Sequence, residues 1–203
     1  AQRGHRVTLI DESNQLGGQL HVAATVSYKS DVARYAKYLT RRLNSAGVSV
    51  RLGVSATSAL VEELAPEVII VASGATPLIP DIPGIDRANV ATAIQILKGE
   101  RKVGSNVLMV GSGLVGCETA EFLLEQGKKV TILEMLPKLG ADIGVTTRPF
   151  LLSRLRQAGV AMEANAKVVE ITERGVKAQR DGETLSFEAE SVVLATGMTP
   201  RKK

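Results

Sequence analysis

Val107-Leu108-Met109-Val110-Gly111-Ser112-Gly113-Leu114-Val115-Gly116 is the stretch whose reading decides the fold. Four apolar residues read as a buried strand, the next six spell Gly-x-Gly-x-x-Gly, and a helical pattern runs on from Leu114 to Gln126. Each glycine answers a physical need. Gly111 allows the tight turn, Gly113 leaves the backbone open to a pyrophosphate, and Gly116 lets helix and strand pack closely. The helix N-terminus offers free N–H groups and a partial positive charge to the phosphates. Contacts run through backbone, so Ser112, Leu114 and Val115 count with the glycines as NAD-binding residues. Glu134 ends the next strand, eighteen residues after Gly116. A carboxylate there accepts hydrogen bonds from ribose hydroxyls and repels a 2′-phosphate, which favours NAD over NADP.

Working outward, the chain repeats itself. Gly4-His5-Arg6-Val7-Thr8-Leu9-Ile10-Asp11 matches Gly127-Lys128-Lys129-Val130-Thr131-Ile132-Leu133-Glu134. Leu16-Gly17 matches Leu139-Gly140, Val71-Ala72-Ser73-Gly74 matches Leu194-Ala195-Thr196-Gly197, and Thr76-Pro77 matches Thr199-Pro200. All four pairs share one register, Gly4 against Gly127. Asp11 then sits where Glu134 sits, and is the candidate ribose ligand of a first nucleotide, FAD or ADP; Glu12 is an adjacent rival. Gly17-Gly18-Gln19 either lets the backbone approach a flavin or is simply a turn. The counterpart of the Gly111–Gly116 loop would fall before Ala1. The first copy therefore lacks its opening strand and phosphate loop, and the chain is expected to be part of a longer protein.

Each copy alternates strand and helix, which predicts α/β units built on parallel sheets. In the first, residues 6–10, 48–52 and 67–72 read as strands, the last one buried. Residues 31–45 and 57–64 read as helices, with Val32, Tyr35, Ala36, Leu39 and Leu43 on one face of the longer. In the second, residues 106–110, 129–133, 160–163 and 191–195 read as strands and 114–126 and 146–158 as helices. Three alternating runs, 166–172, 175–179 and 184–187, form a β-meander, with Arg180-Asp181-Gly182-Glu183 as a hairpin turn. The expected fold is two Rossmann-like three-layer units. Residues 1–83 form a truncated FAD- or ADP-binding unit, a proline-rich link from Pro77 to Pro83 follows, and residues 84–200 form the NAD(H)-binding unit.

Composition excludes several classes. Hydrophobic residues make up 44% and charged residues 23%, ordinary for a globular protein. The 25 basic and 21 acidic residues are interspersed, and aromatics are only 3%, so a nucleic-acid binder is not expected. Cys117 is the one cysteine, which excludes an internal disulfide; it reads as a small packed side chain. His5 and His21 have no metal-ligand partners at suitable spacing, and no metal site is expected. Tyr28, Tyr35 and Tyr38 read as core or rim packing. No stretch approaches the roughly 20 apolar residues of a membrane span. A cytoplasmic location is expected, although a chain starting at Ala1 hides any processed leader.

Beyond these readings, Val7-Thr8-Leu9-Ile10-Asp11, Leu16-Gly17-Gly18-Gln19-Leu20, Ile79-Pro80-Asp81-Ile82-Pro83-Gly84, Gly113 through Phe122, Glu134-Met135-Leu136 and Gly140-Ala141-Asp142-Ile143-Gly144 carry a family resemblance over essentially the whole chain. They resemble the C-terminal nucleotide-binding half of the NADH:flavin oxidoreductase family. That family includes 2,4-dienoyl-CoA reductase, enoate reductases and trimethylamine dehydrogenase, within the pyridine nucleotide-disulfide oxidoreductase superfamily. The resemblance implies that Ala195-Thr196-Gly197 belongs to the NAD site and Ala72-Ser73-Gly74 to the FAD or ADP site. It places Glu118 near nicotinamide and flavin, and the backbone of Val54 against adenine. It implies an N-terminal (β/α)8 barrel partner holding FMN and a [4Fe–4S] cluster outside this chain, with residues 201–203 opening a closing FAD segment. Hydride would pass from NADH to FAD, then electrons through the cluster to FMN and an enoate- or dienoyl-type substrate. In the trimethylamine dehydrogenase branch ADP takes the FAD place. Ser112 stands where members often have glycine, a change expected to be tolerated because the loop works through backbone. The parent protein is expected to be the enzyme and this chain alone inactive. A non-catalytic module holding ADP or NAD, and a subunit that docks another reductase, are the rivals.

Overall fold

A computed structural model describes residues 1–201, and the last two residues, within the expected 201–203 segment, lie outside those described. The chain divides into two compact units, Ala1–Gly74 and Ala75–Lys203. In the first unit β1 (Thr8–Asp11) leads through α1 (Gln19–Ala23) and α2 (Ser30–Ser45) to β2 (Ser49–Leu52), and α3 (Ser58–Leu64) follows. β1 and β2 pair in parallel, Thr8 opposite Ser49 and Asp11 opposite Leu52. The Thr57 side chain caps α3 by accepting the Leu60 N–H at 3.3 Å.

Two expectations for this unit need correction. Residues 67–72 form no strand, and Val68, Ile69, Ile70 and Val71 are all exposed. The apolar run is there, but a strand needs a hydrogen-bonding neighbour. In the repeat register the neighbour of this segment would be the counterpart of residues 106–110, and no residue of this sequence occupies that position. On α2 only Ala36 is buried; Tyr35 and Leu39 face solvent, and the Tyr35 and Tyr38 rings stack at 6.3 Å with the Arg42 guanidinium over Tyr38. The tyrosines therefore belong to the surface rather than the core.

The second unit begins with β3 (Ala75–Pro77), β4 (Val90–Thr92) and the short α4 (Ala93–Leu97). Next come β5 (Asn106–Val110), α5 (Leu114–Glu125), β6 (Lys129–Leu133), α6 (Arg148–Gln157) and β7 (Ala161–Glu163). The unit ends with β8 (Lys167–Thr172), β9 (Gly175–Arg180), β10 (Glu183–Glu188), β11 (Ser191–Leu194) and β12 (Met198–Pro200). Five strands make a parallel sheet in the order β4-β11-β5-β6-β7, so β5 and the loop after it lie at the centre. Side chains of β5 alternate between two cores, as a pleated strand requires. Val107 and Met109 pack under α4, α5 and α6 with Ala93, Leu123 and Leu155. Leu108 and Val110 pack on the other side with Val168, Val176 and Ala178 of the antiparallel β8-β9-β10 meander. The unit is thus the three-layer Rossmann-like α/β arrangement that the sequence pattern implied, with the meander as its third layer. Asp181 and Gly182 both take positive φ in the two-residue β9–β10 turn, the backbone a tight hairpin needs.

β4 and α4 were not anticipated. Their sequence signal is a capping box, Thr92 with Gln95: Thr92 Oγ1 accepts the Gln95 N–H at 3.2 Å, and Gln95 Oε1 accepts the Thr92 N–H at 2.9 Å. The expected link at Pro77–Pro83 is also partly ordered. Pro77 closes β3, which pairs antiparallel with β12, Thr76 opposite Thr199. Those two residues are repeat equivalents, so the segments after the two Gly-ending motifs pair with each other about a local two-fold.

Candidate functional site

β5 ends at Val110, and Gly111 turns the chain with φ +105. A Cβ on Gly111 would lie 2.4 Å from the carbonyl oxygen of Ala195, and one on Gly116 would lie 2.2 Å from that of Gly111. Both glycines are therefore fixed by backbone packing between the loop, α5 and the end of β11. Ala195 donates its N–H to Val110 at 2.8 Å, which locks this motif against the loop. Thr196 Oγ1 donates to the Leu78 carbonyl at 2.7 Å, and Gly197 accepts the Leu78 N–H at 2.9 Å. Ala195-Thr196-Gly197 thus joins the loop at one end and the β3–β12 pair at the other.

Glu134 lies at the end of β6 and reaches the same loop. Its Oε2 accepts both the N–H and the hydroxyl of Ser112, at 2.9 and 2.7 Å, while Oε1 accepts the Leu136 N–H at 2.9 Å. Ser112 Oγ in turn accepts the Gly140 N–H at 3.0 Å. The serine is fully buried. Its side chain is a structural part of the site, whereas the sequence suggested that only its backbone mattered.

Gly113 opens α5, and the Leu114 N–H donates to the carboxylate of Asp142 at 3.2 and 3.3 Å. A Cβ on Gly113 would meet Asp142 Oδ2 at 2.8 Å. The N-terminus of α5 is therefore a working anion site: it holds a carboxylate already. The sequence carried the signal for Asp142. Leu139-Gly140 repeats Leu16-Gly17, so Asp142 occupies the repeat position of Gln19.

Glu118 is buried on α5, one turn after Leu114. Cys117 is fully buried beside it and donates its thiol to the Ser112 carbonyl at 3.1 Å. Burial first, and then the carboxylates of Asp142, Glu121, Glu118 and Glu134, push the thiol up from 9.0 to about 12. The dipole of α5 would lower it, but desolvation and four acids outweigh that effect.

In the first unit Asp11 ends β1 and its Oδ1 accepts the Ser13 N–H at 2.8 Å, while its carbonyl accepts the Val54 N–H at 3.1 Å. Asp11 and Val54 are thus adjacent. Gly17 and Gly18 both take positive φ ahead of Gln19, the first residue of α1. His21 Nε2 hydrogen-bonds the Leu16 carbonyl at 2.8 Å, and a Cβ on Gly17 would meet that ring at 2.6 Å. Ala72, Ser73 and Gly74 are exposed, next to the unpaired 67–71 segment.

A glycine loop between a central parallel strand and a helix, with an acid at the end of the next strand, defines a dinucleotide-binding protein of Rossmann type. The family model for pyridine nucleotide-disulphide oxidoreductase matches residues 1–203, and the chain belongs to that family. It is 37% identical to an NADH oxidase of Thermoanaerobacter brockii, over 98% of this chain and 32% of that protein. It is 31% identical to a cinnamate reductase of Clostridium sporogenes, over 100% of this chain and 30% of that protein. Among solved structures, 2-naphthoyl-CoA reductase in complex with 2-naphthoyl-CoA superposes with a TM-score of 0.91 at 30% identity, covering 97% of this chain and 30% of that one. The chain thus spans about a third of the length of these relatives. It is a nucleotide-binding module of NAD(P)H-dependent flavoprotein oxidoreductases. No helix among the described residues is long and apolar enough to cross a membrane.

Proposed function

We propose that the second unit binds NADH and presents it to a flavin for hydride transfer. The observation that carries this reading is the anion already seated on the Leu114 N–H at the α5 N-terminus, beside Gly113. The same donor set suits a pyrophosphate, and the absence of a side chain at Gly113 lets one approach. Glu134, held by Ser112 and Leu136, would accept the adenine-side ribose hydroxyls and disfavour a 2′-phosphate. When bound, NADH supplies a hydride and FAD accepts it, so the cofactors carry the chemistry. The protein's part is to bind, orient and exclude water. Glu118 is buried, and by the family resemblance its carboxylate would lie near both rings.

For the flavin the fit is partial. Asp11 and the backbone near Val54 suit an adenosine, and Gly17, Gly18 and Gln19 offer close backbone approach. The described residues of the first unit include the Gly17-Gly18 turn at the start of α1 but no second Gly-x-Gly-x-x-Gly loop. By resemblance, electrons continue in the parent protein through an iron–sulfur cluster to FMN in a barrel domain and to an enoate- or dienoyl-type substrate.

Calorimetric titration of the chain with NADH tests the binding step. Saturable binding is expected, and Gly113→Val should abolish it by blocking the phosphates. Equal titrations for the two proteins would remove the loop from the site.

A further inference from the structure

Asp142 is the acidic group that touches the phosphate loop without an established role. It lies beyond β6, in the segment that returns over the loop, and two contacts fix its place. The Leu114 N–H donates to both carboxylate oxygens, and Oδ2 lies 2.8 Å from where a Cβ on Gly113 would stand. The neighbouring Gly140 is tied to the loop as well, its N–H donating to Ser112 Oγ at 3.0 Å. The carboxylate therefore stands on the donor and over the glycine that a pyrophosphate would use.

A dinucleotide phosphate and the Asp142 carboxylate carry the same sign and need the same N–H. Close approach of both is unfavourable, and only one can take that hydrogen bond. The repeat adds a second, independent observation. The equivalent position in the first unit is Gln19, which carries no charge. The unit with the intact glycine loop thus places an acid at this position, and its sister unit places an amide.

We propose that Asp142 is an internal competitor for the pyrophosphate: its carboxylate occupies the anion place at the start of α5 and sets how weakly, and so how exchangeably, NADH is held. The proposal rests on the reading of the second unit as the NADH site. A reductant that is bound, spent and released at every turnover must leave quickly. A carboxylate that returns to the vacated N–H supports that release, since most affinity differences between related complexes lie in dissociation rates.

The test is a gain of affinity, which misfolding cannot imitate. NADH and ADP-ribose are titrated calorimetrically into the full chain, into Asp142→Asn and Asp142→Ala, and into Asp142→Glu. Both neutral variants should bind either ligand about tenfold more tightly than the parent, and release NADH correspondingly more slowly in stopped-flow. Asp142→Glu keeps the charge and should stay near the parent. Adenosine, which has no phosphate, should show no gain with any variant. Unchanged or weakened NADH binding in the neutral variants, with the parent binding normally, would overturn the proposal and leave the NADH site intact. A parent that does not bind NADH would overturn the site itself.

Discussion

Ser112 shows how much one hydroxyl can organise. It donates to Glu134 at 2.7 Å and accepts from Gly140 at 3.0 Å, so it joins the acid at the end of β6 to the segment that crosses the loop. Glycine at this position would keep the backbone and lose both bonds. Ser112→Gly is expected to weaken NADH binding about three- to tenfold, because the Glu134 carboxylate loses its hydroxyl donor and is held by backbone N–H groups alone. Glu134→Ala should narrow the preference for NADH over NADPH. In the Glu134→Ala background the serine change should cost much less, so a double-mutant cycle checks the coupling. Independent, additive losses would mean that Ser112 does not act through Glu134. From sequence the glycines were legible because their spacing is itself the signal. The Ser112 and Asp142 contacts were not, because they join residues 22 and 28 apart in the chain, through side chains whose direction only the fold sets.

Cys117 gives a pH test at the same scale. Its folded value of about 12 lies above the ordinary 9.0, so between these values the folded chain keeps a proton that the unfolded chain loses. Stability from this group is complete below pH 9 and falls as pH rises toward 12. The loss is about 1 kcal/mol between pH 9 and pH 10, and about 1.4 kcal/mol from pH 8 to pH 10. Urea unfolding of the chain and of Cys117→Ala should therefore show the chain losing about 1.4 kcal/mol more than the variant between pH 8 and pH 10. Parallel losses in the two proteins would show that the thiol is not buried in an acidic setting.

At the scale of elements, the repeat supplies its own control. Ile69-Ile70-Val71 and Val192-Val193-Leu194 are equivalent apolar triplets, yet Ile70 is 87% exposed and Val193 is 0% exposed. The difference is pairing: β11 has β4 on one side and β5 on the other, while 67–72 has neither. Propensity and pattern were the same in both, so the sequence promised two strands where the fold makes one. Elements whose signal is local were read well, among them α5 from its glycine loop and the β9–β10 turn from Asp181-Gly182. β4 and α4 are only three and five residues long, too short for either period to show in the sequence. Amide hydrogen exchange separates the triplets. The amides of residues 192–194 should be protected by several orders of magnitude, and those of residues 69–71 should exchange almost freely. Equal protection would show that another strand, from a second copy or elsewhere, covers the first triplet.

For the whole molecule, the two units show one repeat carrying unequal sets of candidate nucleotide-binding parts. The second unit brings together, among its described residues, the glycine turn, the start of α5, Glu134 and the motif after β11. The first has Asp11 beside Val54 and the Gly17-Gly18 turn, without a Gly-x-Gly-x-x-Gly loop among its described residues. Family membership follows from the whole chain, which spans about a third of the length of the relatives it matches. In the proposed complex NADH lies across the start of α5, and a crystal structure of the chain grown with NADH would show it there. The pyrophosphate should lie against Gly113 and the Leu114 N–H, the adenine-side ribose should hydrogen-bond Glu134, and the Asp142 carboxylate should be displaced from α5. NADH bound elsewhere, or bound with Asp142 still on the Leu114 N–H and the phosphates away from Gly113, would show that the start of α5 does not hold the pyrophosphate.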